Sequence, residues 1–223
     1  MERSPASCFQ RSLDVNREQE FFKLDHLSPK TKVLDVGCGE QKKVPWAVGI
    51  DRVATAAADV VHDLDRTPWP FDADSFEVVV AAQVIEHVAD LPGFFAELHR
   101  ICRPGAEIRL ATPHYTSPDS HADPTHRHGL AYRTFEFFAD APDGNALPAA
   151  QRWANRLLGL EATVAGWYGC PRFELVERRI TFRKLHRLVG VDRLAAHLPL
   201  FYEYFLGGFA PARDLQVVLR VRK

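Results

Sequence analysis

The apolar run Val33-Leu34-Asp35-Val36 breaks into Gly37-Cys38-Gly39, and shortly afterwards a second run ends in Gly49-Ile50-Asp51. A buried parallel strand reads as such an apolar run. Glycines at 37 and 39 let the backbone approach a ligand where a Cβ would collide. An acid at the tip of the next strand can accept both hydroxyl protons of a ribose. This pair of strand ends constrains the chain to an open α/β sheet that holds a nucleoside at the carboxyl ends of its strands.

Dinucleotide folds share this geometry but add a third glycine, which packs a full helix against the turn. Here position 42 is Lys, and Glu40 directly follows the second glycine. A carboxylate at a helix N-terminus repels phosphate, although Lys42 and Lys43 act in the other direction. Pro45 limits any helix before the next strand to about one turn. The sequence therefore predicts no long phosphate-cradling helix, and a cationic amino-acid portion suits Asp35 and Glu40 better.

Further along, Ala58 to Asp65 reads as a short third strand whose exit carries Asp63, placed to accept a hydrogen bond from an adenine amine. Phe76 to Ala82 is a central strand, and Gln83 to Val88 is the turn out of it. Leu91 to Arg103 reads as an amphipathic helix with Phe94, Phe95, Leu98, Ile101 and Cys102 at helical spacing, closed by Pro104-Gly105. Glu107 to Thr112 is the next strand. Phe173 to Phe182 and Leu215 to Val221 alternate as a terminal antiparallel pair, and Leu185 to Leu198 between them has helical periodicity.

With LDVGCG (34–39), GID (49–51), HDLD (62–65), PWPFDADSFEVVV (68–80), VIEHV (84–88) and ELHRICRPGAEIRLATPH (97–114) in this order, the chain resembles the class I S-adenosylmethionine-dependent methyltransferases, in particular the bacterial type 11 methyltransferase-domain group. These motifs cover roughly the middle third of the chain. The resemblance implies a Rossmann-like, open, mostly parallel seven-stranded sheet flanked by helices, with an antiparallel C-terminal strand. It implies S-adenosyl-L-methionine as cofactor, with Asp35, Gly37, Cys38 and Gly39 around its methionine and ribose portion and Asp51 on the ribose hydroxyls. Asp63 and Leu64 would meet adenine, and Gln83 and His87 would lie on the sulfonium side. Two departures from the family pattern are the missing third glycine and the near-absence of a helix between Arg52 and Asp59.

The reading is of a single domain over 1–223, with an N-terminal cover segment (1–31), a His-rich insertion (113–168) on the acceptor side and an insertion (183–213) between the last two strands. Asp14 to Leu27 is expected to be a covering helix with Phe21, Phe22, Leu24 and Leu27 as its apolar face. The aromatic stretch Leu200 to Leu206 is either core cover, an acceptor-pocket lining or a dimer surface. A formal charge of −1 argues against a broad nucleic-acid face. No apolar run approaches the ~20 residues that span a bilayer. Cys8, Cys38, Cys102 and Cys170 lack paired or zinc-type spacing, which fits a reducing cytoplasm. Expected partners are a small-molecule or glycan-like acceptor and, at most, a second copy of the chain.

Methyl transfer from a sulfonium depends on holding the nucleophile and methyl in line with water excluded, and a base matters when the nucleophile is a hydroxyl or a protonated amine. His114, at a strand end, is the leading candidate base, followed by His87, His121 and His126, with Tyr115 orienting the acceptor. His121-x-Asp123-x-x-His126-x-His128 is also a compact imidazole and carboxylate set. It matches no strong metal signature, so no metal ligands are assigned, and a metal-assisted enzyme stays a rival reading. The rival from another class is a noncatalytic S-adenosylmethionine-binding regulator or scaffold. Arg127, Arg133, Arg152 and Arg156 are candidate contacts for an anionic acceptor.

Overall fold

In the computed structural model, which describes residues 20–140, 153, 155–157, 159 and 173–223, a single sheet organises the chain. In chain order its strands are β1 (Val33–Val36), β2 (Val48–Asp51), β3 (Val60–Val61), β4 (Phe76–Ala82), β5 (Cys102–Pro113), β6 (Ala139–Asp140), β7 (Phe173–Ile180) and β8 (Asp214–Val221). They lie in the order β3-β2-β1-β4-β5-β8-β7-β6. The pairs from β3 through β5 are parallel, and β8 runs antiparallel to both β5 and β7. The seven expected strands are therefore present with one antiparallel C-terminal strand, and the two-residue β6 extends the edge beyond β7.

Burial follows from position in the sheet. All four residues of β1 are buried, and β4 is buried at every position except Glu77, because strands covered on both faces must be apolar almost throughout. The antiparallel β8 reads the same way for the same reason, since β5 and β7 flank it and only Arg220 is exposed.

The helix α1 (Leu91–Ile101) provides the crossover from β4 to β5. Asp90 caps it by accepting from the Gly93 amide at 3.0 Å. Its inner face, Phe94, Phe95, Leu98 and Ile101, is at most 1% exposed, and each such side chain contributes about 1.5–3 kcal/mol of burial. The helix ends two residues earlier than Arg103, because Cys102 pairs with Phe76 and already belongs to β5. Glu97 on α1 accepts from the Trp69 amide at 2.7 Å and pairs with Arg100 at 2.8 Å, while Arg100 also donates to the Trp69 and Phe71 carbonyls. The stretch that leads into β4 is thereby fastened to the helix.

On the opposite face, Phe22, Leu24, Val44 and Ala47 cover Val33, Val78, Val80 and Ala111. The expected covering role is thus carried by the described residues from 20 onward, but beyond Phe21 they form turns rather than a helix. Residues 14–19 lie outside the described part. Between β7 and β8 the expected single helix is two, α2 (Lys184–Leu188) and α3 (Val191–His197), broken by Gly190 at φ +80°. A short helix (Pro199–Phe201) then runs into a wide turn (Tyr202–Leu206). Within it Leu200 and Tyr202 are buried, whereas Tyr204 and Phe205 are exposed. Among the described residues no helix is long and apolar enough to cross a membrane.

Candidate cofactor and acceptor site

The parallel strands β1, β2, β3 and β4 end at one edge of the sheet, and a cavity of about 340 Å³ opens there. Gly37, Asp51, Asp63, Leu64, Gln83 and His87, six of the residues selected from sequence as cofactor contacts, line it. Gly37 has φ +65°, and a Cβ there would sit 2.2 Å from a Val84 methyl, so the turn admits no side chain. Its amide donates to the Ile50 carbonyl at 2.8 Å, which ties the exit of β1 to β2. Asp51 accepts from the Gly39 and Val53 amides, both at 2.9 Å. Those bonds fix its carboxylate at the cavity wall, and each oxygen keeps a lone pair for a ligand hydroxyl. Gln83 adopts φ +57°, a left-handed conformation uncommon outside glycine, and its amide nitrogen donates to Asp214 at 3.2 Å. The Leu64 carbonyl accepts from the Trp69 indole at 3.1 Å, which holds the Asp63 to Asp65 corner against the core.

Other predicted residues lie behind the wall. Cys38 is buried, and burial raises its thiol pKa. Asp35 is 1% exposed and accepts from the Lys43 amide. Burial pushes its carboxyl up to about 6. It organises the turn between β1 and β2 from beneath and does not line the cavity, and Glu40 is exposed to solvent. That turn contains no helix: Lys42 pairs with Asp59 at 2.5 Å, and Asp59 accepts from the Gly49 amide at 2.7 Å.

The histidine-rich segment roofs the cavity with Asp123 and Thr125. Three bonds strap it to the β4–α1 turn. The Arg127 amide donates to the Glu86 carbonyl at 2.7 Å, His128 Nε2 donates to the Val88 carbonyl at 2.8 Å, and His87 Nδ1 meets the Thr125 hydroxyl at 2.9 Å. His121 Nε2 donates to the Tyr115 carbonyl at 3.0 Å. The four ligands of the loop metal reading therefore do not converge, since His121 and His128 bond backbone carbonyls. Among the described residues, the group whose ligand atoms do gather, all within 4.8 Å, is Glu86, His87 and His126.

His114 is fully buried and outside the cavity lining. Its Nε2 lies 2.8 Å from Glu203 and its Nδ1 2.9 Å from the Thr116 hydroxyl, so both ring nitrogens are engaged. The base expected at the strand end thus points into the fold, where it anchors the turn after Tyr202. Tyr115 behaves likewise, donating to the Glu203 carbonyl at 3.0 Å, and burial pushes its hydroxyl up to about 12. His87 is the predicted imidazole that faces the cavity. Burial, and then the neighbouring His126, lowers its pKa.

The cavity also includes Arg52, Asp65, Val84, Val88 and Thr125, which sequence reasoning did not select. Asp65, Val84 and Val88 sit inside the recognised HDLD and VIEHV motifs, and the acid within VIEHV was itself a signal. Glu86 is 1% exposed, and burial pushes its carboxyl up to about 7.

A mostly parallel sheet with an antiparallel C-terminal strand, a glycine turn after β1 and an acid at the end of β2 is the arrangement expected of the class I S-adenosylmethionine-dependent methyltransferases. The chain belongs to that family: the profile of the methyltransferase domain matches residues 10–174. It is 32% identical over 117 residues to a probable S-adenosylmethionine-dependent methyltransferase of Mycolicibacterium smegmatis, a stretch covering 43% of each chain. It is 31% identical over 104 residues to the ubiquinone biosynthesis O-methyltransferase of Hahella chejuensis, covering 38% of this chain and 44% of the other. The match thus spans less than half the length of these relatives. Among solved structures, an S-adenosylmethionine-dependent methyltransferase from Archaeoglobus fulgidus superposes with a TM-score of 0.52 at 14% identity, covering 97% of this chain and 100% of that one.

Proposed function

We propose that the chain transfers the methyl group of S-adenosylmethionine, by in-line displacement, to a hydroxyl or amine of a small molecule or glycan-like metabolite. The observation that carries this reading is the cavity itself, which joins the Gly37 turn, the Asp51 and Asp63 carboxylates, Gln83 and His87 in one space. A cavity of about 340 Å³ lies in the range that small-molecule sites occupy. Asp51 would take the ribose, Asp63 and Leu64 the adenine, and the sulfonium would lie toward Gln83 and His87. The similarity to an O-methyltransferase of ubiquinone biosynthesis puts hydroxyl acceptors first.

The acceptor proton is taken on the His87 side, where Glu86 and His126 also gather. His114 is not used as the base, because neither of its nitrogens is free. The roof residues Asp123 and Thr125 close the site and limit water around the reacting atoms. The two described cysteines, Cys38 and Cys102, are buried free thiols, in keeping with action in a reducing compartment such as the cytoplasm.

The test is a screen of small hydroxyl- and amine-bearing acceptors for released S-adenosylhomocysteine, followed by His87→Ala. Turnover is expected to fall by at least tenfold, a larger factor than the accompanying loss of calorimetric affinity for S-adenosylmethionine. Undiminished turnover would remove the His87 side as the acceptor site.

A further inference from the structure

We propose that Glu86, His87 and His126 form a binding site for one divalent transition-metal ion of the zinc or iron(II) class, set in the wall of the cofactor cavity. Two residues come from the β4–α1 turn and the third from the strapped loop after β5. One ligand atom from each lies within 4.8 Å of the other two. Two ligands on a common ion at about 2.1 Å are at most about 4.2 Å apart, so a small side-chain adjustment closes the set.

The proton inventory of the cluster points to a cation. His126 Nδ1 donates to the Ser120 carbonyl at 3.1 Å, which leaves Nε2 as its lone-pair nitrogen. The Thr125 hydroxyl donates to Asp123 at 2.7 Å, so its oxygen accepts from His87 Nδ1 at 2.9 Å and again leaves Nε2. Glu86 Oε2 accepts from the Thr112 hydroxyl at 3.0 Å, while Oε1 is buried without a hydrogen-bond partner. Each of the three residues thus keeps one acceptor atom to which no donor is assigned, with the Asp123 carboxylate 4.0 Å from His126 Nε2, and the buried Glu86 Oε1 left unpaired is costly. The second nitrogens of both rings already hold the outer partners that metal-bound histidines use, a backbone carbonyl and a hydroxyl–carboxylate relay. Two imidazoles and one carboxylate with remaining positions open suit zinc or iron(II) better than magnesium or calcium, which prefer oxygen ligands.

His87 belongs both to this cluster and to the cavity lining, so the ion lies one ligand bond from the cavity. Resting on the reading that the acceptor enters beside His87, an ion held by these three residues would lower the pKa of an acceptor hydroxyl bound to it, whose proton would pass to solvent water. The oxygen then forms a bond to the methyl carbon as the S–CH3 bond breaks, releasing S-adenosylhomocysteine and the methyl ether.

Full-length protein stripped with a chelator and dialysed is titrated with Co2+, followed by visible absorption, and with Zn2+, followed by calorimetry. The expected result is one saturable equivalent per chain and a Zn2+-dependent rise in Tm that chelator reverses. Glu86→Gln and His126→Ala should each weaken Co2+ binding at least tenfold while leaving S-adenosylmethionine affinity unchanged, as neither residue lines the cavity. No saturable binding to the wild type, or binding that survives both substitutions, overturns the proposal. If either variant fails to fold, the conservative His126→Gln takes its place, and Co2+ binding that it leaves intact likewise overturns the proposal. Neither acceptor nor turnover enters these measurements, so their failure is distinct from failure of the methyl-transfer reading.

Discussion

Asp51 combines a local structural role with a place in the cavity wall, where the proposed ribose contact would fall. Its two backbone hydrogen bonds hold the carboxylate at the cavity wall. Asp51→Ala is expected to weaken S-adenosylmethionine binding by about 1.5–3 kcal/mol, the range for charge-assisted hydrogen bonds, as read by calorimetry. Asp35 has the opposite character, because burial holds its pKa near 6 against an ordinary 3.8. A carboxyl raised in the folded state stabilises most below its unfolded pKa, and that contribution disappears as pH rises through about 6. Asn can still accept from the Lys43 amide without bearing the charge. Urea unfolding of Asp35→Asn and wild type should therefore shift in favour of the variant between pH 4 and 7, by up to about 3 kcal/mol. A constant difference across that range would show that Asp35 titrates normally.

At the scale of elements, the turn after Tyr202 and the strand end at His114 form one unit. Glu203 accepts from His114 and, at 2.7 Å, from the Tyr132 amide. Glu203→Ala leaves both groups without that acceptor and is expected to cost about 2–4 kcal/mol in chemical denaturation, with little effect on cofactor affinity. This pairing also marks where sequence reading stopped. The strands β1, β2 and β4 were legible because apolar runs ending in glycine, aspartate and a polar turn state their own burial. Of the cavity-lining residues, Gly37, Asp51 and Asp63 were legible at strand ends, while Leu64, Gln83 and His87 came from the family resemblance. His114 looked catalytic because it too ends a strand, but its partner lies 89 residues further along the chain, and nothing local announces the contact. The helix read through Arg103 stopped at Ile101 for a similar reason, since the pairing of Cys102 with Phe76 is a tertiary contact. The histidines of the roof were visible as a cluster. Their division into loop fasteners, His121 and His128, and a converging member, His126, came only from geometry.

For the whole molecule, the absence of a helix between β1 and β2 among the described residues decides which nucleosides fit. A pyrophosphate needs the amides and positive end of a helix at that place, and the chain supplies turns there with Asp51 and Asp63 nearby. NAD is therefore expected not to displace S-adenosylhomocysteine in a competition titration, and a competitive displacement curve would contradict this. The position of β8 has another consequence, one of timing. Among the described residues, β7 and β6 join the rest of the sheet through β8, which follows both in sequence. On the ribosome, β1 to β5 can assemble as they emerge, but β7 has no route into the sheet until residues 214–221 have left the exit tunnel. Amides of β7 should accordingly gain exchange protection together with those of β8, later than those of β4, in pulse-labelled nascent chains.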